Sequence, residues 1–487
     1  MRGTIYSFWA FGLLLFTLSC KRDEPAIDTK ASGYPANISK LIVSSCATQG
    51  CHTSKSKDAA AGLSLSTWDE MMQGGNSGAV TIPYFSALSS TFLFSNTYPS
   101  LGVSVKPTMP LYQHPLSESD VKMLMNWIDQ GAPNNQGFVK FSDNASRNKA
   151  YIVNQGCDNV AVIDVESNLI MRYISVGNNA NTEAPHMVKI SPDEKYWCVC
   201  FASGDVFQIF STKDDQLVAT IPLTAGSWNT IAFSSDSKMV YTVDWNSSGR
   251  VACINLENKT LKKIIGNGAL EWPHGIALLN DTVMYVSANK GNYIYRANIE
   301  DLDNVDFHTV VAEKNAALNK NSSLDIHEIV FSPDKSKYFL SCQTSNEVRV
   351  MNTQKDSLIS VINTGKYPVE FSFSKKHQLL FVSCMEDDTY INEGIKGSIT
   401  AIDYANNTKI ATIKSGHQPH GLQANDEQDI LYIVNRNIAS DGPAPHHSSY
   451  CGGRNGYYQF IDMKTLKLIA RSKRELSVDP YSIAIRR

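Results

Sequence analysis

Lys149-Ala150-Tyr151-Ile152-Val153-Asn154-Gln155, then Asn159-Val160-Ala161-Val162-Ile163-Asp164, then Leu169-Ile170-Met171-Arg172-Tyr173-Ile174-Ser175-Val176-Gly177 read as three short apolar strands parted by turn residues. A fourth strand follows: Met187-Val188-Lys189-Ile190-Ser191-Pro192-Asp193 restarts the cycle, with Tyr196 to Cys200 behind it. Equivalent openings recur at Asn229, His274, His327, Val369, His420 and Tyr481. Their spacing of about 42 to 61 residues is that of propeller blades, and counting them gives seven. The last opening, Asp479-Pro480-Tyr481-Ser482-Ile483-Ala484-Ile485, has no strands after it, while the first blade, from Lys149, lacks an inner strand. The two fragments are expected to complete one blade, which removes the open edges that a linear stack of sheets would leave.

The strand text, best seen in Tyr151-Ile152-Val153-Asn154 and Leu431-Tyr432-Ile433-Val434-Asn435, resembles the YVTN family of seven-bladed propellers over most of residues 149 to 487. In register, the residues that open the inner strands are His186, Asn229, His274, His327, Val369, His420 and Tyr481. Inner strands line a propeller's channel, so these seven are expected to form a ring near one mouth. Four of them are imidazoles, which bind metals or exchange protons at a substrate. Pro-His-Gly is also frequent at strand starts in this propeller family, where the imidazole only hydrogen-bonds a turn. The long loop Pro445-His446-His447-Ser448-Ser449-Tyr450-Cys451-Gly452-Gly453-Arg454-Asn455 is expected over the same end, adding His446 and His447 to the candidates and Cys451 as a thiolate. Cys200, Cys342 and Cys384 occupy one position near the ends of second strands, where Val243 stands in another blade, and read as packing.

Upstream of the repeats lies Cys46-Ala47-Thr48-Gln49-Gly50-Cys51-His52. Two thiols and an adjacent imidazole are what covalent haem attachment requires: thioethers from Cys46 and Cys51, and His52 under the iron. Four residues separate the cysteines where two are usual, so the loop must bulge, which Gly50 permits. A disulfide is the alternative. For the sixth ligand, Lys106-Pro107-Thr108-Met109-Pro110 offers Met109 on a proline-framed loop, with Met71, Met72, Met123 and Met125 as rivals that suit helix packing better. The stretch from Leu116 to Pro133 reads as a capped amphipathic helix stopped by Gly131. Together these residues resemble c-type cytochrome domains with lengthened C-x4-C-H loops from secreted bacterial proteins, which implies one covalent haem c, low-spin, with His52 and Met109 as axial ligands.

Arg2, an apolar run from Ile5 to Leu18, and Ser19-Cys20 form an export signal too short to span a bilayer comfortably. They resemble a lipoprotein cleavage box with Cys20 as the acylated residue, and Lys21-Arg22-Asp23-Glu24 is similar to a surface-export tag of certain Gram-negative lipoproteins. A retained helical anchor is the alternative. The implied organisation is a signal peptide (1–19), a linker (20–39), a small all-α cytochrome c-like domain (40–138) and an all-β propeller (145–487). A net charge of -3 gives no reason to expect nucleic acid as a partner.

Two functions follow from these readings. In one, the chain is an outer-membrane lipoprotein, periplasmic or surface-exposed, that passes electrons to and from a redox partner protein or a small molecule, with the propeller as docking or ligand-binding platform. In the other, a metal or substrate at the channel mouth makes the propeller an oxidoreductase wired to the haem. Dissimilatory nitrite reductases share the cytochrome-plus-propeller plan, but with eight blades and an additional non-covalent haem.

Overall fold

A computed structural model describes residues 31–486. Seven antiparallel sheets make seven blades, and within each the strands follow one another in chain order from the channel outward. The exception is the closing blade, where the final strand, Pro480–Ile485, pairs with Lys149–Asn154, placing Ile483 opposite Ile152. First and last pieces of the propeller thus share one sheet, as their complementary deficits implied. Large apolar side chains fill the spaces between blades. Tyr151 of the closing blade stacks on Trp197 of the next at 5.1 Å, and Trp197 on Phe210 at 3.9 Å. Each such fully buried aromatic contributes about 1.5–3 kcal/mol.

The inner strands Pro185–Ile190, Trp228–Phe233, Pro273–Asn280, Ile326–Phe331, Pro368–Ser374, Pro419–Asn425 and Pro480–Ile485 share one deformation. Each shifts register against its neighbour around the ring residue. In six of the seven, the residue two places before it is left-handed: Ala184, Trp272, Asp325, Tyr367, Gln418 and Asp479, with φ between 49 and 60°. A bulge leaves backbone groups outside the ladder, and buried groups of that kind need partners. Three second-strand serines supply them. Ser341 Oγ accepts from Glu328 N (3.0 Å) and donates to Val369 O of the next blade (2.7 Å). Ser287 does the same between Gly275 N and His327 O, and Ser383 between Glu370 N and His420 O. Each serine satisfies its own blade's bulge and ties it to the next.

Residues 34 to 132 build a separate core around Ile38, Trp68, Met71, Leu93, Val121, Leu124 and Ile128. Four α-helices contribute: α1 (Ala36–Ser45), α2 (Trp68–Met72), α3 (Ser90–Leu93) and α4 (Glu118–Asp129). Thr67 caps α2 by accepting from Glu70 N, Ser117 caps α4 by accepting from Asp120 N, and Gly131 at φ 99° follows the end of α4. The segment is less regular than an all-α domain. Its short helices are joined by long coil rich in Gly, Ser and Pro, residues that favour turns over helix interiors. Nor does it stand apart from the propeller. Ile82, Leu88 and Phe85 pack with Ile163, Ile170, Tyr173 and Leu476, and Phe85 meets Tyr173 at 5.3 Å and Tyr450 at 5.5 Å. Among the described residues no helix is long and apolar enough to cross a membrane. Cys20 and the apolar run before it lie outside them.

Candidate functional site

α1 ends at Cys46, whose N–H still bonds Ile42 O (2.9 Å). The chain then turns back on itself: Cys51 N bonds Thr48 O (3.0 Å) and His52 N bonds Cys46 O (3.1 Å). Gly50 makes that turn at φ 78°, the left-handed conformation the longer loop requires. Cys46 and Cys51 are free thiols. Burial, then the neighbouring Cys51, pushes the Cys46 thiol up to about 12, so it stays protonated. His52 Nδ1 lies 3.4 Å from Leu63 O, and burial pushes its pKa below the usual histidine value. A backbone carbonyl at one imidazole nitrogen and a neutral ring are how metal-binding histidines are commonly held.

These three residues line a cavity of about 560 Å³, mostly apolar, within the range of cofactor sites. Its walls include Ile42, Leu63, Val80, Phe94 and Leu124 from the N-terminal segment. Met109 also lines it, on a loop anchored by Met109 N to Phe94 O (2.6 Å). Met71 and Met72 are buried in the helical core, and Met123 and Met125 pack against it; none of the four lines the cavity. Two free thiols, an imidazole and a thioether in one apolar cavity fit a covalently attached haem.

The opposite histidine group is the channel ring. His186, His274, His327, His420 and Tyr481 contact one another in a closed circuit: centroids lie 5.8 Å apart from His186 to His274, 3.8 Å to His327, 5.8 Å to His420, 3.6 Å to Tyr481 and 4.3 Å back to His186. The bulges turn them toward one another. The rings meet by both faces and edges, at interplanar angles from 30 to 72°. His274 Nδ1 pairs with His327 O and His420 Nδ1 with Tyr481 O, both at 3.2 Å, and His186 Nδ1 with Gln155 Nε2 at 2.7 Å. Burial pushes His274 down to about 4 and the other three well below the usual value, so the ring is neutral. Among the described residues no group of three or more His, Cys, Asp or Glu side chains is arranged to hold a metal ion. The additional metal expected in the channel therefore has no ligand set there: Nδ1 of His274 and of His420 is taken up by a backbone carbonyl and Nδ1 of His186 by Gln155, while His186 Nε2 and His327 Nδ1 are buried without a hydrogen-bond partner among the described residues.

His446 and His447 are not with the ring. They line the cavity of Cys46, Cys51, His52 and Met109, at its propeller end with Ile170, Tyr173, Glu475 and Leu476. His446 Nε2 is 3.0 Å from Ser77 Oγ, and His446 N donates to Glu475 Oε2 (2.8 Å). Cys451 is not a free thiolate. It is disulfide-bonded to Cys157, 294 residues earlier, and the bridge ties the histidine loop to the closing blade. Cys200, Cys342 and Cys384 are fully buried, with thiols raised by burial, as packing residues would be; Cys198 and Cys253 are equally buried. Sequence reading missed the contribution of Ile170, Tyr173 and Glu475 to the cavity. For Ile170 and Tyr173 the one signal was an outer strand, Leu169–Ser175, apolar enough to need a cover; Glu475, on Arg474–Val478, had none.

No protein-family model matches the sequence, and no curated protein matches it. Among solved structures, the chain is similar to a functionally unknown protein from Desulfotomaculum acetoxidans DSM 771 (13% identity, TM-score 0.53, covering 69% of this chain and 98% of that one). It is also similar to a putative 6-phosphogluconolactonase from Bacteroides uniformis ATCC 8492 (14% identity, TM-score 0.51, 70% and 100%). The dihydro-heme d1 dehydrogenase NirN aligns over 83% of both chains at 12% identity and a TM-score of 0.47. At these identities the likeness to the first two structures shows the propeller fold and nothing about chemistry, and the seven blades are those of this chain's own sheets.

Proposed function

We propose that this protein is an electron carrier of the c-type cytochrome class, with its haem seated between the helical segment and the propeller. The observation that carries the reading is the arrival of Cys46, Cys51, His52 and Met109 at one apolar cavity. Cys46 and Cys51 would form the thioethers, and His52 and Met109 would hold the iron. A haem so held supplies reversible one-electron chemistry. Around it Leu63, Val80 and Phe94 exclude water, and Leu63 O orients the imidazole. The propeller serves as cover and docking platform, and electrons pass to a redox partner protein or a small molecule. The second reading, an oxidoreductase with a metal or substrate at the channel mouth wired to the haem, lacks a metal ligand set among the described residues.

The test is a haem stain of the denatured protein, made in a host competent in cytochrome maturation, beside its reduced absorption spectrum. A stained band and a low-spin c-type spectrum are expected; an unstained band overturns the reading. In the ferric protein, Met109→Ala is expected to erase the near-infrared methionine-to-iron band and lower the potential. A band that persists transfers the role to another methionine. The residues before position 31 add a proposal of export and lipid anchoring through Cys20 to the outer membrane of a Gram-negative cell. It predicts that Cys20→Ala shifts the protein out of the membrane fraction, and equal retention with the apolar run uncleaved would favour a helical anchor instead.

A further inference from the structure

The cavity has a charge deficit on one side. Its polar residues from the helical segment are uncharged, Ser45, Asn76, Ser77, Ser90, Thr91 and Ser95 with the site's own thiols and imidazole, and no lysine or arginine lines it. A haem carries two propionate carboxylates. Burying a carboxylate without a cation or several donors is strongly unfavourable, so its charged edge needs partners that this segment does not provide.

Next to the cavity lies a second one of about 190 Å³ that shares Asn76, Ser77, His446 and Glu475 with it and adds Arg471 and Lys473. Among the described residues neither of these two cations has an ion-pair partner within 4 Å; Lys473 lies over the Tyr457 ring at 4.5 Å, and burial pushes its pKa down. The 76–78 turn between the two cavities is held against the propeller by Arg474 Nη1 donating to Asn76 O (2.9 Å) and by the contact of Ser77 with His446. Glu475, the one acid on this wall, already has its oxygens engaged: Oε1 accepts from Asn455 Nδ2 (2.9 Å) and Oε2 from His446 N (2.8 Å).

Resting on the haem reading above, we propose that the propeller supplies the propionate-binding edge of the haem site, with Arg471, Lys473 and His446 beside the Asn76-Ser77 turn receiving the carboxylates. The propeller is then part of the cofactor site and sets its electrostatics: cations beside the propionates disfavour the extra positive charge of ferric iron and so raise the potential.

The experiment compares full-length wild type with the double variant Arg471→Gln, Lys473→Gln, both carrying haem labelled with carbon-13 at the propionates. Haem content per protein is measured first: absence of haem from the wild type overturns the haem reading itself. With haem content equal in the two proteins, the proposal expects a downward shift of midpoint potential in the variant and a shift of the labelled carboxylate bands in the redox difference infrared spectrum. Unchanged potential and unchanged bands overturn it. A third arm adds acetate or inorganic phosphate. If either changes the wild-type potential and the change disappears in the variant, the basic pocket takes a diffusible anion and the propionate assignment fails; no response to either anion is expected. His446→Gln, which keeps a hydrogen-bonding side chain beside Ser77, is expected to shift the labelled bands by less than the double variant.

Discussion

The two histidine groups of this protein, the channel ring and the cavity at the helical segment, differ in what their nitrogens meet. In the ring, the His274 and His327 centroids lie 3.8 Å apart at a tilt of 35°, His420 stacks on Tyr481, and Nδ1 of His274 and of His420 turns to a backbone carbonyl, so the imidazoles act as packing material. In the cavity, His52 gives one nitrogen to Leu63 O and stands on the wall of a space large enough for a cofactor. Recurrence in the repeat made the ring the more conspicuous of the two. Space beside a ring nitrogen, rather than the number of imidazoles gathered, distinguishes a binding site from a packed layer.

The strongest way to break this contrast is at the cavity. Cys51→Ser removes one of two thiols and is expected to abolish stable haem attachment, read as loss of the stained band after denaturation, while the propeller stays folded by circular dichroism. Retained covalent haem would mean that the cavity does not work as described. At the ring, His327→Ala should leave haem content untouched and destabilise the propeller by about 2–5 kcal/mol, the range for emptying a well-packed core position. Denaturant unfolding measures it. A variant as stable as wild type would show that the ring is not packing and would reopen the search for its ligand.

The order of the blades, the shared closing blade and the identity of the ring were legible because each blade repeats one alternation of apolar residues, and alternation dictates which face a side chain takes. The bulge was not legible. It depends on left-handed residues as different as Ala184, Trp272 and Tyr367, and no residue type marks the position. Without it, the sequence left open whether the imidazoles bind a ligand or only hydrogen-bond a turn. Ser287, Ser341 and Ser383 were visible as text but not as a device, since their partners sit on the next blade. At the cavity, Cys46, Cys51, His52 and Met109 were readable from local chemistry, whereas the propeller wall was not. His446 was expected at the channel mouth because loop length gives no direction, and the Cys157–Cys451 bridge that fixes the direction joins residues 294 apart.

A smaller effect sharpens the ring's side of the comparison. Ser341→Ala strands Glu328 N and Val369 O in a buried place and is expected to cost about 1–3 kcal/mol, the penalty for unpaired buried polar groups. Ser341→Thr keeps the hydroxyl and should recover part of it. Equal losses in the two would point to side-chain volume instead of the hydrogen bonds.

The pH dependence sets two groups of buried inner-strand residues against each other. Burial depresses His186, His274, His327 and His420, so their contribution is present above pH 6.5 and is lost as pH falls toward their folded values, about 4 for His274. Burial raises Glu328 and Glu370, the latter further because of Glu328, with Lys189 opposing both. Their contribution has the other sign: it is present below the usual carboxylate range and is lost as pH rises through their elevated values. Between about pH 4.5 and 6.5 four imidazoles act against two carboxyls, so stability should still climb with pH. Above 6.5 the imidazole contribution is flat and the carboxyls make stability fall. The denaturant midpoint of the propeller is therefore expected to peak near pH 6.5, and Glu328→Gln, by removing one opposing group, should steepen the acid limb and flatten the alkaline one. A midpoint that falls steadily from pH 5 to 6.5 would mean that the ring imidazoles are protonated in the folded protein, and with them the account of the ring as a neutral packed layer would fail.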